Sequence, residues 1–131
     1  MNMLATKPFE VLVIDDDAAL RRFLSELLQG EGYAVRLAPD GEVGMQAYYE
    51  SRPDLVLTDI YMPYCEGIDL INKIRADDAK LPIIAMSGGG SNYRRTYLNA
   101  ATCLGANAAL PKPFTAQELL ALIERLLQRV V

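Results

Sequence analysis

Val11-Leu12-Val13-Ile14-Asp15-Asp16-Asp17 is a short β-branched run that ends in acids. A strand apolar at every position is buried on both faces, the condition of a parallel sheet covered by helices. After the acids the period changes. Leu20, Phe23, Leu24, Leu27 and Leu28 recur at helical spacing, and Gly30 and Gly32 stop the stripe. Tyr33 to Ala38 reads as a second strand. Pro39-Asp40-Gly41 opens a helix over Glu42 to Ser51, with Asp40 as its N-cap. Pro53 breaks that helix, and Leu55-Val56-Leu57 forms a third strand ending at Asp59. Met62-Pro63 and Gly67 mark a loop before a helix over Ile68 to Ala76. Leu81 to Met86 is a fourth strand, followed by the loop Ser87-Gly88-Gly89-Gly90-Ser91. A helix over Asn92 to Leu104 stops at Gly105, and Ala106 to Leu110 is a weak fifth strand. Pro111-Lys112-Pro113 is a rigid turn. Thr115 and Glu118 stand at capping-box spacing ahead of a last helix with Leu119, Ile123, Leu126 and Leu127 on its apolar face.

Five strands and five helices alternate, which reads as α/β: a doubly wound five-stranded parallel sheet. The 131 residues make one domain, with neither linker nor repeat. Apolar residues at 51% and charged residues at 23% exclude a disordered chain. The net charge of −4 argues against binding of nucleic-acid backbones. With no histidine, imidazole catalysis and histidine metal ligation are excluded. Cys65 and Cys103 are too few for a disulfide framework or a thiolate zinc site and read as reduced thiols. No stretch is long and apolar enough to span a membrane, and Met1 to Glu10 lacks the apolar region of a signal peptide. The expectation is a cytoplasmic protein.

In open α/β sheets, ligands bind beyond the carboxyl ends of the strands, where the strand order reverses. The strand ends here carry Asp15, Asp16 and Asp17, then Asp59, then Ser87, with Lys112 after the fifth strand. If the order is 2-1-3-4-5, these groups share one crevice. Crowded carboxylates repel, and a cation relieves the cost. An all-oxygen donor set favours a hard ion, Mg²⁺ above all. A carboxylate beside it can attack phosphorus to give an aspartyl phosphate. Lys112 and the Ser87 hydroxyl can then share the charge on the phosphoryl oxygens. Each signal alone has a plainer reading. Asp17 suits a solvated helix start that complements the helix dipole. Lys112 suits a surface turn, and Arg21-Arg22 and Arg94-Arg95 suit solvated helix faces.

These same motifs, joined by Thr58-Asp59-Ile60-Tyr61-Met62-Pro63 with Gly67, Met86-Ser87-Gly88 and Lys112-Pro113-Phe114, resemble the bacterial response-regulator receiver domain. The match runs from Phe9 to Val130. The resemblance implies a flavodoxin-like sheet of order 2-1-3-4-5 and Asp59 as phosphoacceptor. It further implies Asp15, Asp16, Asp59 and the Tyr61 backbone carbonyl around Mg²⁺, with Ser87 and Lys112 on the phosphoryl group. It implies a histidine kinase or histidine phosphotransfer protein as donor, a downstream protein as target, and a cis peptide at Lys112–Pro113. The expected chain is a monomer or weak dimer with no separate enzymatic substrate, no nucleic-acid partner and no membrane insertion. Two features depart from the family pattern. Ala109 stands where a switching aromatic is usual, and the bulky Tyr61 lies beside the acceptor. Signal output is then expected from the glycine-rich loop at Gly88 to Gly90 and the start of the helix after it, where Tyr93 and Tyr97 read first as plain helix packing and second as substitutes for the missing ring.

Two rivals stand beside this reading. Asp15-x-Asp17 superficially fits a haloacid-dehalogenase-type phosphatase, but Ala19 stands where Thr or Val is expected, and Asp77-Asp78 follows a helix rather than a strand. The other rival is a receiver cut from a larger DNA-binding regulator, which the initial Met and the absent trailing linker disfavour.

Overall fold

The computed structural model describes residues 7–60, 67–87 and 105–128. Its elements in chain order are β1 (Glu10–Ile14), α1 (Ala18–Gly30), β2 (Ala34–Ala38), α2 (Gly41–Glu50), β3 (Leu55–Asp59), α3 (Gly67–Asp77), β4 (Ile83–Ser87), β5 (Ala108–Pro111) and α4 (Ala116–Gln128). The strands pair in parallel in the order β2-β1-β3-β4-β5. Tyr61, Cys65, Cys103, Gly88 to Gly90, Tyr93, Arg94, Arg95, Tyr97 and the helix expected over Asn92 to Leu104 lie outside the described residues.

Period-two alternation splits each central strand between two cores. Leu12, Ile14, Val56, Ile83 and Ala85 face α2 and α3, where they meet Met45, Tyr48, Leu70, Ile71 and Ile74. Val11, Val13, Leu55, Leu57, Ile84 and Met86 face α1 and α4, against Leu24, Leu28, Leu119, Ile123 and Leu127. The continuous apolar runs are the consequence, since β1, β3 and β4 are covered on both sides. Edge strand β5 is only half covered, which is why its pattern reads weakly.

Element boundaries shift by one or two residues from the sequence reading. Strand β4 starts at Ile83 rather than Leu81, because Pro82 has no N–H to offer the ladder and contributes only its carbonyl, to Val56. Strand β5 begins at Ala108 rather than Ala106, where pairing with Ile84 starts. The caps follow from residue type. The Asp40 carboxylate accepts the Val43 N–H at 2.9 Å. Thr115 and Glu118 exchange bonds, the Thr115 N–H to Glu118 Oε1 at 2.8 Å and the Glu118 N–H to Thr115 Oγ1 at 3.0 Å. Gly32, at φ 95°, makes the left-handed turn after α1.

A polar clasp joins α2 to α3. The Tyr48 hydroxyl donates to Asp77 Oδ2 at 2.7 Å, and Arg52 donates to the same oxygen at 2.7 Å. Burial, and then the bond to Asp77, push the Tyr48 phenol up to about 12. A raised phenol favours the folded state below the ordinary value of 10, and that contribution fades as pH rises toward 12. Tyr48→Phe should therefore lower stability by about 1 kcal/mol in urea unfolding at neutral pH. It should also remove part of the alkaline loss of stability expected of the parent protein.

Candidate functional site

Because every strand is parallel, all five carboxyl ends lie on one edge of the sheet. Ile14 pairs with Thr58, so the next residues, Asp15 and Asp59, emerge side by side at the junction of β1 and β3. Ser87 pairs with Pro111 at the far end of the β4–β5 ladder, and the Lys112 N–H donates to the Ser87 carbonyl at 2.7 Å. Lys112 is thereby delivered to the same edge. Its peptide bond to Pro113 is cis, as the resemblance implies.

Asp15 is 0% exposed and Asp59 5% exposed, so both carboxylates need a partner in place of water. Lys112 supplies it. Its Nζ lies 2.8 Å from Asp15 Oδ2 and 3.4 Å from Asp59 Oδ2. Burial alone would lower the ammonium's pKa. The hydrogen bond to Asp15 and the charges of Asp59 and Asp15 outweigh burial and hold it above the ordinary lysine value.

Carboxylate oxygens of Asp15, Asp16 and Asp59 lie within 4.8 Å of one another, the first and last buried and Asp16 exposed. Three hard oxygen donors, one of them open to water, fit a cation that keeps part of its hydration shell, which is the preference of Mg²⁺. Asp17 does not join them. Its Oδ1 accepts the N–H groups of Ala19 and Leu20, at 2.9 and 3.2 Å, as the N-cap of α1. The pairing of Asp15 and Asp17 that a dehalogenase-type phosphatase needs is therefore not formed. Ser87 is buried at the end of β4, and the Tyr61 carbonyl lies outside the described residues. Ala109 pairs with Ala85 and packs half-buried against the α2–α3 core.

Other residues at this edge were given no role by the sequence reading. Arg21, read there as a solvated helix residue, turns back so that its Nη1 donates to the Asp15 carbonyl at 2.7 Å. The buried Thr58 hydroxyl donates to the Asp59 carbonyl at 2.9 Å. Gly67, read as a loop marker, opens α3, and its N–H donates to the Ile60 carbonyl at 3.1 Å. A Cβ on Gly67 would stand 2.2 Å from the Asp59 carbonyl oxygen and 2.3 Å from Ile60 Cα. Only glycine allows that approach.

Comparison with known proteins gives a consistent result. The family model described as the response regulator receiver domain matches residues 11–124. The response regulator MprA of Mycolicibacterium vanbaalenii is 38% identical over 122 residues, covering 93% of this chain and 52% of that protein. MprA of Mycobacterium leprae is 37% identical over 119 residues, covering 91% and 51%. This chain thus spans about half the length of the curated relatives it matches. Among solved structures, a response regulator receiver domain protein from Clostridium thermocellum superposes with a TM-score of 0.86 at 29% identity, covering 93% of this chain and 96% of that one. The receiver domain of NtrX from Brucella abortus gives a TM-score of 0.84 at 30% identity, covering 91% and 98%.

Proposed function

This chain belongs to the response regulator receiver domain family of two-component systems, and on that footing we propose that it accepts a phosphoryl group on Asp59 and signals through protein contacts. The observation that carries the reading is the ammonium of Lys112 set between the buried carboxylates of Asp15 and Asp59. A carboxylate held beside a fixed cation is poised to take on a group rich in negative oxygens.

In this reading an Asp59 carboxylate oxygen attacks the phosphorus of a phosphohistidine on a kinase or phosphotransfer protein. The new O–P bond forms as the P–N bond breaks, and the donor leaves as imidazole. Lys112, 3.4 Å from the Asp59 oxygen, takes up charge on the transferred group. Ser87, at the end of the adjacent strand, offers its hydroxyl to another phosphoryl oxygen. Asp15 and Asp16, with Asp59 and the Tyr61 carbonyl, would hold Mg²⁺, whose charge offsets that of the carboxylates and the phosphoryl group. We read the chain as a cytoplasmic monomer or weak dimer that turns over no separate substrate and binds no nucleic acid. No helix among the described residues is long and apolar enough to cross a membrane.

Intact-mass measurement after incubation with acetyl phosphate tests this reading. One phosphoryl group should add in Mg²⁺ and none in EDTA, and p-nitrophenyl phosphate should not be turned over. Equal labelling in EDTA would contradict the metal role, and sustained turnover would favour a phosphatase.

A further inference from the structure

We infer that Arg21 is a positioning residue for the metal-binding carboxylates, acting through the backbone of the loop between β1 and α1. The inference rests on the reading of Asp15, Asp16 and Asp59 as the cation site.

The loop is tied at several points. The Asp17 N–H donates to Asp15 Oδ1 at 2.9 Å, the Arg21 N–H donates to the Asp17 carbonyl at 3.0 Å, and Arg21 Nη1 donates to the Asp15 carbonyl at 2.7 Å. The last bond is the one that reaches Asp16. The carbonyl of Asp15 and the N–H of Asp16 lie in one rigid peptide plane. Holding that carbonyl restrains the plane, and with it the position of the Asp16 Cα from which the side chain springs. Asp15 and Asp59 are buried and held by Lys112, whereas Asp16 is exposed. Packing does not hold Asp16, so the restraint on its carboxylate comes from the backbone that carries it. Arg21 is half-buried, and its neighbour Arg22 is exposed.

Charge and positioning make opposite claims here. A guanidinium near a cation site repels the cation, so its removal through charge alone would tighten Mg²⁺ binding. If Arg21 positions the loop, its removal weakens binding, on the order of tenfold, the usual size of an effect transmitted through a ligand's support.

The experiment is calorimetric titration of the full chain with Mg²⁺ alone, alongside urea unfolding in EDTA. Arg21→Met keeps the packing of the stem and removes the donor. Arg21→Lys keeps a charged donor, and Arg22→Ala removes a neighbouring charge. We expect Arg21→Met to bind Mg²⁺ about tenfold more weakly, Arg21→Lys to recover most of the affinity, and Arg22→Ala to match the parent or bind more tightly. Unchanged or tighter binding by Arg21→Met would overturn the inference. So would equal weakening by Arg22→Ala, or a loss of stability with affinity preserved. A parent chain that labels at Asp59 while Arg21→Met binds Mg²⁺ normally sinks this inference alone. A parent chain that neither binds Mg²⁺ nor labels sinks the functional reading and the inference with it.

Discussion

Replacing Lys112 with alanine should cost the metal-free protein about 3 kcal/mol of unfolding free energy at neutral pH. Lys112 reaches Asp15 at 2.8 Å and Asp59 at 3.4 Å, and both acids are almost wholly buried. Removing one partner of a buried ion pair leaves the other charge without compensation, which is worse than never having built the pair. Here two carboxylates would be left facing each other. Because the ammonium's pKa is raised in the folded state, its contribution is full below the ordinary lysine value of 10.5 and is lost as pH rises through the higher folded value. The gap between parent and variant should therefore close only in strongly alkaline solution. Mg²⁺ should return much of the lost stability, since a cation bound to the folded state alone stabilises it by mass action. Labelling by acetyl phosphate should slow by about a hundredfold, the usual cost of deleting one charge-stabilising donor. Urea unfolding in EDTA and in Mg²⁺ checks the stability claim. Equal stability of parent and variant in EDTA would show that the buried acids do not depend on this lysine.

Gly67→Ala should lose about 3 kcal/mol and impair acceptance of the phosphoryl group at the same time. The added methyl would sit 2.2 Å from the Asp59 carbonyl oxygen and 2.3 Å from Ile60 Cα. Both are backbone atoms and have no rotamer through which to retreat. Either α3 or the end of β3 must move, and β3 carries Asp59, the proposed acceptor. Gly44→Ala is the control. Its Cβ would meet Ile14 Cδ1 at 2.7 Å, Cγ1 at 3.0 Å and Cγ2 at 3.3 Å, all atoms of one side chain, so the strain falls on the core and not on the backbone beside Asp59. Alanine in place of glycine within a helix also gains about 1 kcal/mol. Gly44→Ala should thus cost less than Gly67→Ala in urea unfolding and label normally. If both variants behave alike, close approach to the acceptor backbone is not what Gly67 provides.

The contrast between these two glycines marks where sequence reading ends. The apolar runs at Val11 to Ile14 and Leu55 to Leu57, the stripe from Leu20 to Leu28 and the caps at Asp40 and Thr115 are local patterns, and each is a direct consequence of period and residue type. Parallel pairing then brings Asp15, Asp59, Ser87 and Lys112 to one edge. Asp17 reads from the sequence as a helix start, and the resemblance takes only Asp15 and Asp16 of the three acids for the metal. The geometry of α1 agrees, with the Asp17 carboxylate on the helix amides and Asp15 and Asp16 grouped with Asp59. The bond from Arg21 to the Asp15 carbonyl carries no periodic mark, because it joins residues six apart across a change of conformation. The closeness of Gly67 to Asp59 depends on how α3 docks against β3. The same holds for Arg75, whose guanidinium joins the end of α3 to the Gly105 carbonyl at 2.8 Å and Asn107 Oδ1 at 2.8 Å. Docking of this kind is a property of assembled elements and is absent from any single window of sequence.

The central claim is that Asp59 is the group that takes the phosphoryl. Peptide mapping by mass spectrometry, after acetyl phosphate and Mg²⁺ treatment of the parent chain and of Asp59→Asn, tests it most directly. The parent should carry its single modification on the peptide containing Asp59, and Asp59→Asn should remain unlabelled. Full labelling of Asp59→Asn, or a modification mapped to Asp15, Asp16 or Ser87 in the parent, would contradict it.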